Sequence, residues 1–458
     1  MKEISRRQFL KSAGAGALMA GTAAAGCKPR DAAAPVTTGA VYDGEEQMVM
    51  RTNHNTGDRV SLLGYGCMRW PMITDGQGRE IIDQKAVNEL VDKAMEGGVN
   101  YYDTSPVYLQ GLSERAAGEA LRRYPRDSYF IATKLSNFSV SSQGGSLQMY
   151  NNSFEQLYTK YFDYYLLHSI GGGAWEKFEK RYISNGMLDF LKKEKQAGRI
   201  RNLGFSFHGT KDNFDRILQM HDRGEVHWDF AQIQLNYIDW THAQAPRNVN
   251  ADYLYEQLST REIPIVIMEP LQGGRLATLP LNVAERLKAR EPDRSLASWA
   301  FRFAGTHPGV LTVLSGMASM EPLVENLDTY RRFVPLTGEE MEFLEEMATL
   351  IKEYPLVNCN YCNYCMPCPY GIDIPGNFRH YNDMVTEGTF AQSSLQEDYR
   401  RLRRAYLASY DRAVDSRRQA DHCIGCRECM PHCPQSISIP KEMRRIASYV
   451  EQLKQDTL

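Results

Sequence analysis

Between residues 58 and 335, the sequence alternates short apolar runs with longer stretches that repeat apolar residues at helical spacing. Val, Ile, Phe and Tyr dominate the short runs, which is typical of buried strands. The longer stretches, among them 83–97, 113–124 and 186–198, place their apolar residues on one helix face. The pattern predicts eight strands, at 60–65, 99–103, 129–134, 163–168, 200–206, 230–235, 264–268 and 310–315.

Eight strands that alternate with helices predict an α/β fold, and specifically a TIM (β/α)8 barrel. An open doubly wound sheet is the alternative for the same alternation. That alternative usually carries a Gly-x-Gly-x-x-Gly turn after its first strand, and no such turn follows residues 60–65. The barrel is therefore the favoured fold, and its chemistry is expected at the carboxyl ends of the strands.

Charged and polar residues stand at three neighbouring strand ends. Asp103 ends the second predicted strand, Lys134 the third and His168 the fourth, while Tyr108 lies on the loop that follows Asp103. In a barrel these ends meet at one rim, so we expect an acid, a cation, an imidazole and a phenol to come together there. The alternative is a structural Asp–Lys ion pair beside a buried Tyr and His.

Eight of the ten cysteines form two short runs near the C-terminus, and each run is followed by a proline. The runs are Cys359, Cys362, Cys365 and Cys368, then Cys423, Cys426, Cys429 and Cys433. The second run has the ligand spacing of bacterial ferredoxins, and the first is one residue shorter before its last cysteine. Structural zinc and disulfides are the alternatives, but tandem cysteines favour two 4Fe-4S clusters.

Paired cysteine runs of this kind usually lend their last cysteine to the other cluster. We therefore group Cys433 with the first three cysteines of the first run, and Cys368 with the first three of the second. Residues 377–385 and 394–413, between the runs, are predicted to be helical and to bring them together. The C-terminal part is thus predicted to be a small α-helical ferredoxin-type domain.

The N-terminus has the pattern of a targeting segment. The twin-arginine sequence SRRQFLK at 5–11 precedes a small-residue apolar stretch at 13–26, which predicts a Tat signal rather than a basic amphipathic helix. Small residues before Cys27 also match a lipoprotein cleavage site, so either simple cleavage or a lipid anchor at Cys27 is expected. The protein is then exported, and is periplasmic or anchored to the extracytoplasmic face of a membrane.

Composition and length further narrow the class of protein and its domain organisation. The 458 residues are 43% hydrophobic and 24% charged with a net charge of −3, which is ordinary for a globular protein and disfavours nucleic acid as a partner. The predicted organisation is a signal at 1–27, a linker at 28–46, a barrel at 47–345 and an iron–sulfur domain at 346–458.

The motifs along the barrel resemble those of the aldo/keto reductase family, and specifically its ferredoxin-fused bacterial branch. These motifs are LGYGCMR at 63–69, DTSPVY at 103–108, SE at 113–114, TK at 133–134, DYYLLH at 163–168, GRIRNLGFS at 198–206, EPLQGG at 269–274 and EN at 325–326. The resemblance covers residues 48–345, and the cysteine runs extend it almost to the end of the chain.

The resemblance implies reversible hydride transfer between a nicotinamide nucleotide and a carbonyl or alcohol substrate. Tyr108 would protonate the carbonyl oxygen, Lys134 would stabilise the phenolate, Asp103 would orient the lysine and His168 would bind the carbonyl. The resemblance also implies residues that bind the nucleotide: Ser206 and Gln232 at the nicotinamide, Gly273 and Gly274 at the pyrophosphate, and Ser315, Gly316 and Asn326 at the adenosine end.

Several questions stay open at the level of sequence. The positions that would hold the 2′-phosphate of NADP carry Gly316, Met317 and Pro322, none of them cationic, so NAD and NADP are equally credible cofactors. A redox partner protein is also compatible with the clusters. The alternative functions are an iron–sulfur electron-transfer protein with a catalytically silent barrel, and a binding module stapled by its clusters.

Overall fold

The computed structural model of the chain describes residues 47–243 and 248–458. The predicted signal at 1–27, Cys27 and the predicted linker at 28–46 lie outside the described residues. Twelve strands are present in the described part: β1 (Met50–Thr52), β2 (Arg59–Ser61), β3 (Leu63–Gly66), β4 (Met72–Thr74), β5 (Glu80–Ile82), β6 (Tyr101–Asp103), β7 (Phe130–Leu135), β8 (Phe162–Ile170), β9 (Ile200–Phe207), β10 (Phe230–Gln234), β11 (Ile265–Met268) and β12 (Val310–Ser315).

The described part also contains fifteen α-helices. They are α1 (Gln84–Glu96), α2 (Ser113–Leu121), α3 (Gln143–Leu157), α4 (Trp175–Phe178), α5 (Met187–Gln196), α6 (Lys211–Asp222), α7 (Asp239–His242), α8 (Ala251–Ser259), α9 (Leu281–Arg290), α10 (Leu296–Thr306), α11 (Met320–Arg331), α12 (Gly338–Lys352), α13 (Ile374–Thr386), α14 (Tyr399–Ala413) and α15 (Ile439–Gln455).

Eight of the strands close into a parallel barrel in the order β3, β6, β7, β8, β9, β10, β11, β12. The predicted TIM barrel is confirmed, with each strand near its predicted place. The first predicted strand, 60–65, is instead two strands. Residues of β2 pair antiparallel with β1, whereas β3 begins at Leu63 and pairs with β12 and β6 inside the barrel. The apolar run is continuous across this bend, so hydrophobicity alone could not reveal it.

Alternation along the strands places the candidate site. Tyr101, Ala132 and Leu166 belong to the apolar cluster inside the barrel, whereas their neighbours pack outward against the helices. Side chains two residues apart share a face of a strand. Asp103 and Lys134, each two residues beyond an interior residue, therefore emerge at the same rim, as does His168.

The C-terminal helices have their own apolar core. Side chains such as Phe378, Tyr406 and Met443, from α13, α14 and α15, form a cluster separate from the barrel. The helix α12 packs its buried residues into the barrel cluster, so the predicted boundary between residues 345 and 346 falls within this helix. The predicted helices at 377–385 and 394–413 correspond to α13 and α14, and α13 begins earlier because Asp373 caps it.

No helix in the described part of the chain is both long and apolar enough to cross a membrane.

Candidate active site and cysteine runs

A buried ion pair lies at the centre of the rim. Lys134 Nζ is 2.5 Å from Asp103 Oδ1 and donates to the Thr104 carbonyl oxygen at 2.8 Å. Gln232 Nε2 donates to the other Asp103 oxygen at 3.1 Å. Burial raises the pKa of Asp103 and lowers the pKa of Lys134, while their mutual attraction opposes both shifts. The pair is thus desolvated and fixed in position.

Tyr108 lies beside this pair on the loop after β6. The loop is held in an unusual conformation, because Leu109 and Gln110, which follow the tyrosine, both have positive φ angles of 49° and 58°. Lys134 Nζ is 4.7 Å from the centre of the Tyr108 ring. Burial raises the pKa of Tyr108 well above its ordinary value, so the phenol keeps its proton at neutral pH. A cation is therefore close to a protonated phenol.

His168 completes the rim and is held by two serines. Its ring stands nearly perpendicular to that of Tyr108, with 5.9 Å between ring centres. Nδ1 of His168 is 2.5 Å from Ser136 Oγ and 3.3 Å from Ser105 Oγ, and the two hydroxyl oxygens are 2.8 Å apart. Burial, together with the charges of Lys134 and Arg181, lowers the pKa of His168 well below 6.5, so the imidazole is neutral.

The residues expected to bind a nucleotide are placed in three sectors of the mouth. Ser206 and Gln232 lie near the ion pair, and Ser206 Oγ accepts a hydrogen bond from the Ser169 backbone N–H at 2.8 Å. Ser315 and Asn326 are bonded to each other, with Asn326 Nδ2 donating to Ser315 Oγ at 3.0 Å. Gly316 follows β12. These polar groups suit the two ends of a dinucleotide.

The two glycines expected at the pyrophosphate differ from each other in how much space surrounds them. Gly274 is open, since a methyl group there would meet no atom of the described residues within 4 Å. Gly273 is covered, because a methyl group there would lie 2.6 Å from the Cα atom of Asn360, in the first cysteine run. In the described arrangement, the backbone of Asn360 therefore fills the space over Gly273, where the family resemblance places the pyrophosphate.

The thiols of the first cysteine run associate with the last cysteine of the second. Burial raises the pKa of Cys359 to about 11 and that of Cys362 to about 12, and the nearby thiol of Cys433 adds to both shifts. Burial also raises the pKa of Cys365, where Cys362, Cys359 and Cys433 contribute as well. This neighbourhood is the first group that the ligand spacing predicts.

The thiols of the second cysteine run associate in the same way with the last cysteine of the first. Burial raises the pKa of Cys429 to about 11, and Cys426, Cys423 and Cys368 all add to the shift. Across residues 47–243 and 248–458, no three His, Cys, Asp or Glu side chains converge closely enough to hold a single metal ion. Four thiolates per group, with the last cysteines exchanged, are the donor set that 4Fe-4S clusters use. The residues of each group are therefore of the type that holds a 4Fe-4S cluster.

The sequence interpretation missed Ser105 and Ser136, although both carried a signal. Ser136 lies two residues after Lys134 and therefore faces the same rim, and Ser105 lies within the motif that contains Asp103 and Tyr108. The contact of Asn360 with Gly273 had no comparable signal. Nothing in the spacing of the cysteines specifies which barrel loop they cover.

An eight-stranded parallel barrel with an Asp, Lys, Tyr and His at its rim defines an oxidoreductase of the aldo/keto reductase class. The family model "Aldo/keto reductase family" matches residues 62–349, well over half of the chain, and the chain belongs to that family. A 4Fe-4S dicluster domain matches residues 358–438, and a twin-arginine translocation signal matches residues 3–26. The predicted family, the iron–sulfur domain and the Tat signal are confirmed.

Related proteins agree with this classification. The chain is 24% identical over 324 residues to L-galactose dehydrogenase of Arabidopsis thaliana, covering 66% of this chain and 94% of that protein. The holo form of an aldo-keto reductase from Bacillus halodurans shares 23% identity with a TM-score of 0.52, over 66% of this chain and 96% of the other. An NADPH complex of a Klebsiella pneumoniae aldo-keto reductase shares 22% identity with a TM-score of 0.52, over the same shares. The two solved structures support the fold.

Proposed function

We propose that the barrel catalyses reversible oxidoreduction of a small carbonyl or hydroxyl compound with a nicotinamide nucleotide. The observation that carries this proposal is the buried Lys134–Asp103 pair beside Tyr108 and His168 at one rim. The nucleotide, when bound, supplies or accepts the hydride. Aldoses are the first substrate class to test, because the similar plant protein is a dehydrogenase of L-galactose.

The side chains at the rim supply the proton, compensate the charge and bind the carbonyl. Tyr108 holds the proton that the carbonyl oxygen takes up as the alcohol forms. Loss of that proton leaves a phenolate in a buried place, where a charge without a partner is costly. Lys134, 4.7 Å from the ring centre, is positioned to compensate that charge, and Asp103 fixes the lysine. His168 is neutral and donates a hydrogen bond to the carbonyl.

The serines set which nitrogen of His168 carries hydrogen. The Val107 backbone N–H, which can only donate, lies 3.4 Å from Ser105 Oγ. Ser105 accepts this hydrogen bond, and we propose that Ser105 donates in turn to Ser136 and that Ser136 donates to His168 Nδ1. Nδ1 then acts as an acceptor, and the ring hydrogen is on Nε2. This is the tautomer that a carbonyl-binding histidine needs.

Replacing Ser136 by Ala is expected to lower kcat by about tenfold, the effect of one lost hydrogen bond of ~1.4 kcal/mol. The KM for the nucleotide is expected to change little, since the Ser136 hydroxyl does not reach the loops predicted to bind the nucleotide. Nitrogen NMR of His168 should report a loss of the single tautomer, and Ser136→Thr, which keeps a hydroxyl, should restore it. An unchanged tautomer in Ser136→Ala would contradict the proposed hydrogen-bond chain.

We further propose two 4Fe-4S clusters, one held by Cys359, Cys362, Cys365 and Cys433 and the other by Cys423, Cys426, Cys429 and Cys368. The clusters serve electron transfer or structure, and a redox partner protein is compatible with the first role. The Tat signal leads the protein to an extracytoplasmic location, either free in the periplasm or anchored through Cys27.

The test is an anaerobic assay of the cluster-loaded protein with NADH or NADPH and a panel of aldoses, aldehydes and ketones. Substrate-dependent oxidation of the nucleotide is the expected result, and it also identifies NAD or NADP as the cofactor. If dithionite reduces the clusters and an electron acceptor reoxidises them while no nucleotide is consumed, the barrel is silent. The alternative function, iron–sulfur electron transfer, would then replace the proposal.

A further inference from the structure

We infer that residues 358–361 of the first cysteine run occupy part of the nucleotide site, so that this segment and a dinucleotide exclude one another. The inference rests on the proposed function and concerns the regulation of the same site. It predicts that nucleotide binding requires the cluster-binding segment to move, and that the two events are thermodynamically coupled.

Asn360 is held on the barrel from two sides. Its side-chain Nδ2 donates to Glu269 Oε1 at 2.8 Å, and its backbone carbonyl accepts from the Arg69 guanidinium at 2.6 Å. The neighbouring Asn358 side chain accepts from Arg275, which follows the glycine loop. Asn360 itself is 5% exposed. The segment is therefore anchored by charged groups rather than resting loosely on the surface.

The anchors belong to the strand ends where the nucleotide is expected. Glu269 and Gly273 follow β11, and Arg69 follows β3. Between these strands in the barrel lies β12, which ends at Ser315. The side chain of Arg69 extends over the sector of the barrel mouth at the end of β12, since a methyl group on Gly316 would lie 3.2 Å from Arg69 Cδ. Asn360 thus bridges the sector that holds Gly273, Ser315 and Gly316.

The surroundings of Gly273 explain why the Asn360 backbone and the pyrophosphate of a dinucleotide would compete for the same space. Its φ angle of 71° favours glycine, and its bare Cα allows another backbone to approach closely. A pyrophosphate passing this loop would use that space, and the backbone of Asn360 already fills it. A site that is available only part of the time binds its ligand more weakly, in proportion to the available fraction. Loosening the segment should therefore tighten nucleotide binding.

The experiment measures NADPH and NADH affinity by anaerobic fluorescence titration of the full-length, cluster-loaded protein. Asn360→Ala and Glu269→Ala remove the two ends of one hydrogen bond, and each is expected to tighten binding by about tenfold. Glu269→Gln keeps an acceptor and should tighten it less. Arg403→Ala is the control, because Arg403 of α14 donates to the Leu453 and Lys454 carbonyl oxygens within the C-terminal helices and should leave affinity unchanged.

The reciprocal effect gives a second readout. Coupling acts equally in both directions, so saturating nucleotide should change the electron paramagnetic resonance spectrum of the reduced clusters. If Asn360→Ala loses its clusters, Glu269→Ala still tests the inference, since that change lies on the barrel.

Equal affinity in all variants, tight or weak, with unchanged cluster spectra, would overturn the inference and leave the proposed function intact. Failure of every variant to bind either nucleotide would overturn both the inference and the use of nicotinamide. Tighter binding in Asn360→Ala and Glu269→Ala, with a smaller gain in Glu269→Gln and none in the control, would support the inference and the use of nicotinamide.

Discussion

Replacing Tyr108 by Phe is expected to lower kcat by about 10²- to 10⁴-fold, the range that general acid catalysis contributes. The change removes one hydroxyl and leaves the ring, so the Lys134–Asp103 pair and the loop after β6 stay in place. Nucleotide affinity should be unchanged, because the residues predicted to bind the nucleotide lie on β9, β10 and β12 and in the segments after β11 and β12, whereas Tyr108 follows β6. Steady-state kinetics and fluorescence titration measure the two quantities separately.

The chain provides a matched control for this variant. Tyr101, two residues before Asp103, points into the barrel, and its buried hydroxyl has no hydrogen-bond partner among residues 47–243 and 248–458. Tyr101→Phe removes a hydroxyl from β6, the strand that leads into the Tyr108 loop, without changing the rim, and should leave kcat unchanged. If Tyr108→Phe kept its activity, or if it lost nucleotide affinity instead, Tyr108 could not be the proton donor.

The barrel and its rim could be predicted from sequence because both depend on short-range periodicity. Strand–helix alternation predicted eight strands, and alternation within strands explains why Asp103, Lys134 and His168 share one rim. Asp103, Lys134 and His168 could therefore be found without knowing how the barrel closes, whereas Ser206 and Gln232, on β9 and β10, were implied by the family resemblance.

Contacts between distant parts of the chain could not be predicted in this way. Residues 358–361 reach Gly273 only because α12 packs on the barrel and directs the chain back across its mouth. Cysteine spacing specifies ligands for a cluster, but it does not say which loops the cluster-binding segment will cover. The bend between β2 and β3 was hidden for a related reason, since residues on both sides of it are buried.

Replacing Lys134 by Met is expected to lower the free energy of unfolding by about 3 to 5 kcal/mol near neutral pH. The methionine fills a similar volume, but Asp103 loses its cation and keeps one hydrogen bond, from Gln232. A buried carboxylate without a cation is costly, so the folded protein should bind a proton there more readily than the unfolded chain. Thermal unfolding followed by circular dichroism measures the loss.

Burial raises the pKa of Asp103 even in the wild-type protein, where Lys134 is present. This raised pKa determines how the stability of the variant depends on pH. In Lys134→Met the folded-state pKa should rise further. Between the unfolded and folded pKa values, the folded protein holds the extra proton, so stability should fall as pH increases and recover as pH decreases. The wild-type protein, with its pair intact, should show a weaker trend over the same range.

The double variant Asp103→Asn with Lys134→Met separates charge from packing. It removes both charges, and it should recover much of the stability lost in Lys134→Met and lose the pH dependence. Its turnover should stay low, because no cation then compensates a phenolate at Tyr108. Equal stability of the single and double variants would show that Asp103 is uncharged when Lys134 is absent. Low turnover despite recovered stability would show that the pair is required for catalysis rather than for folding.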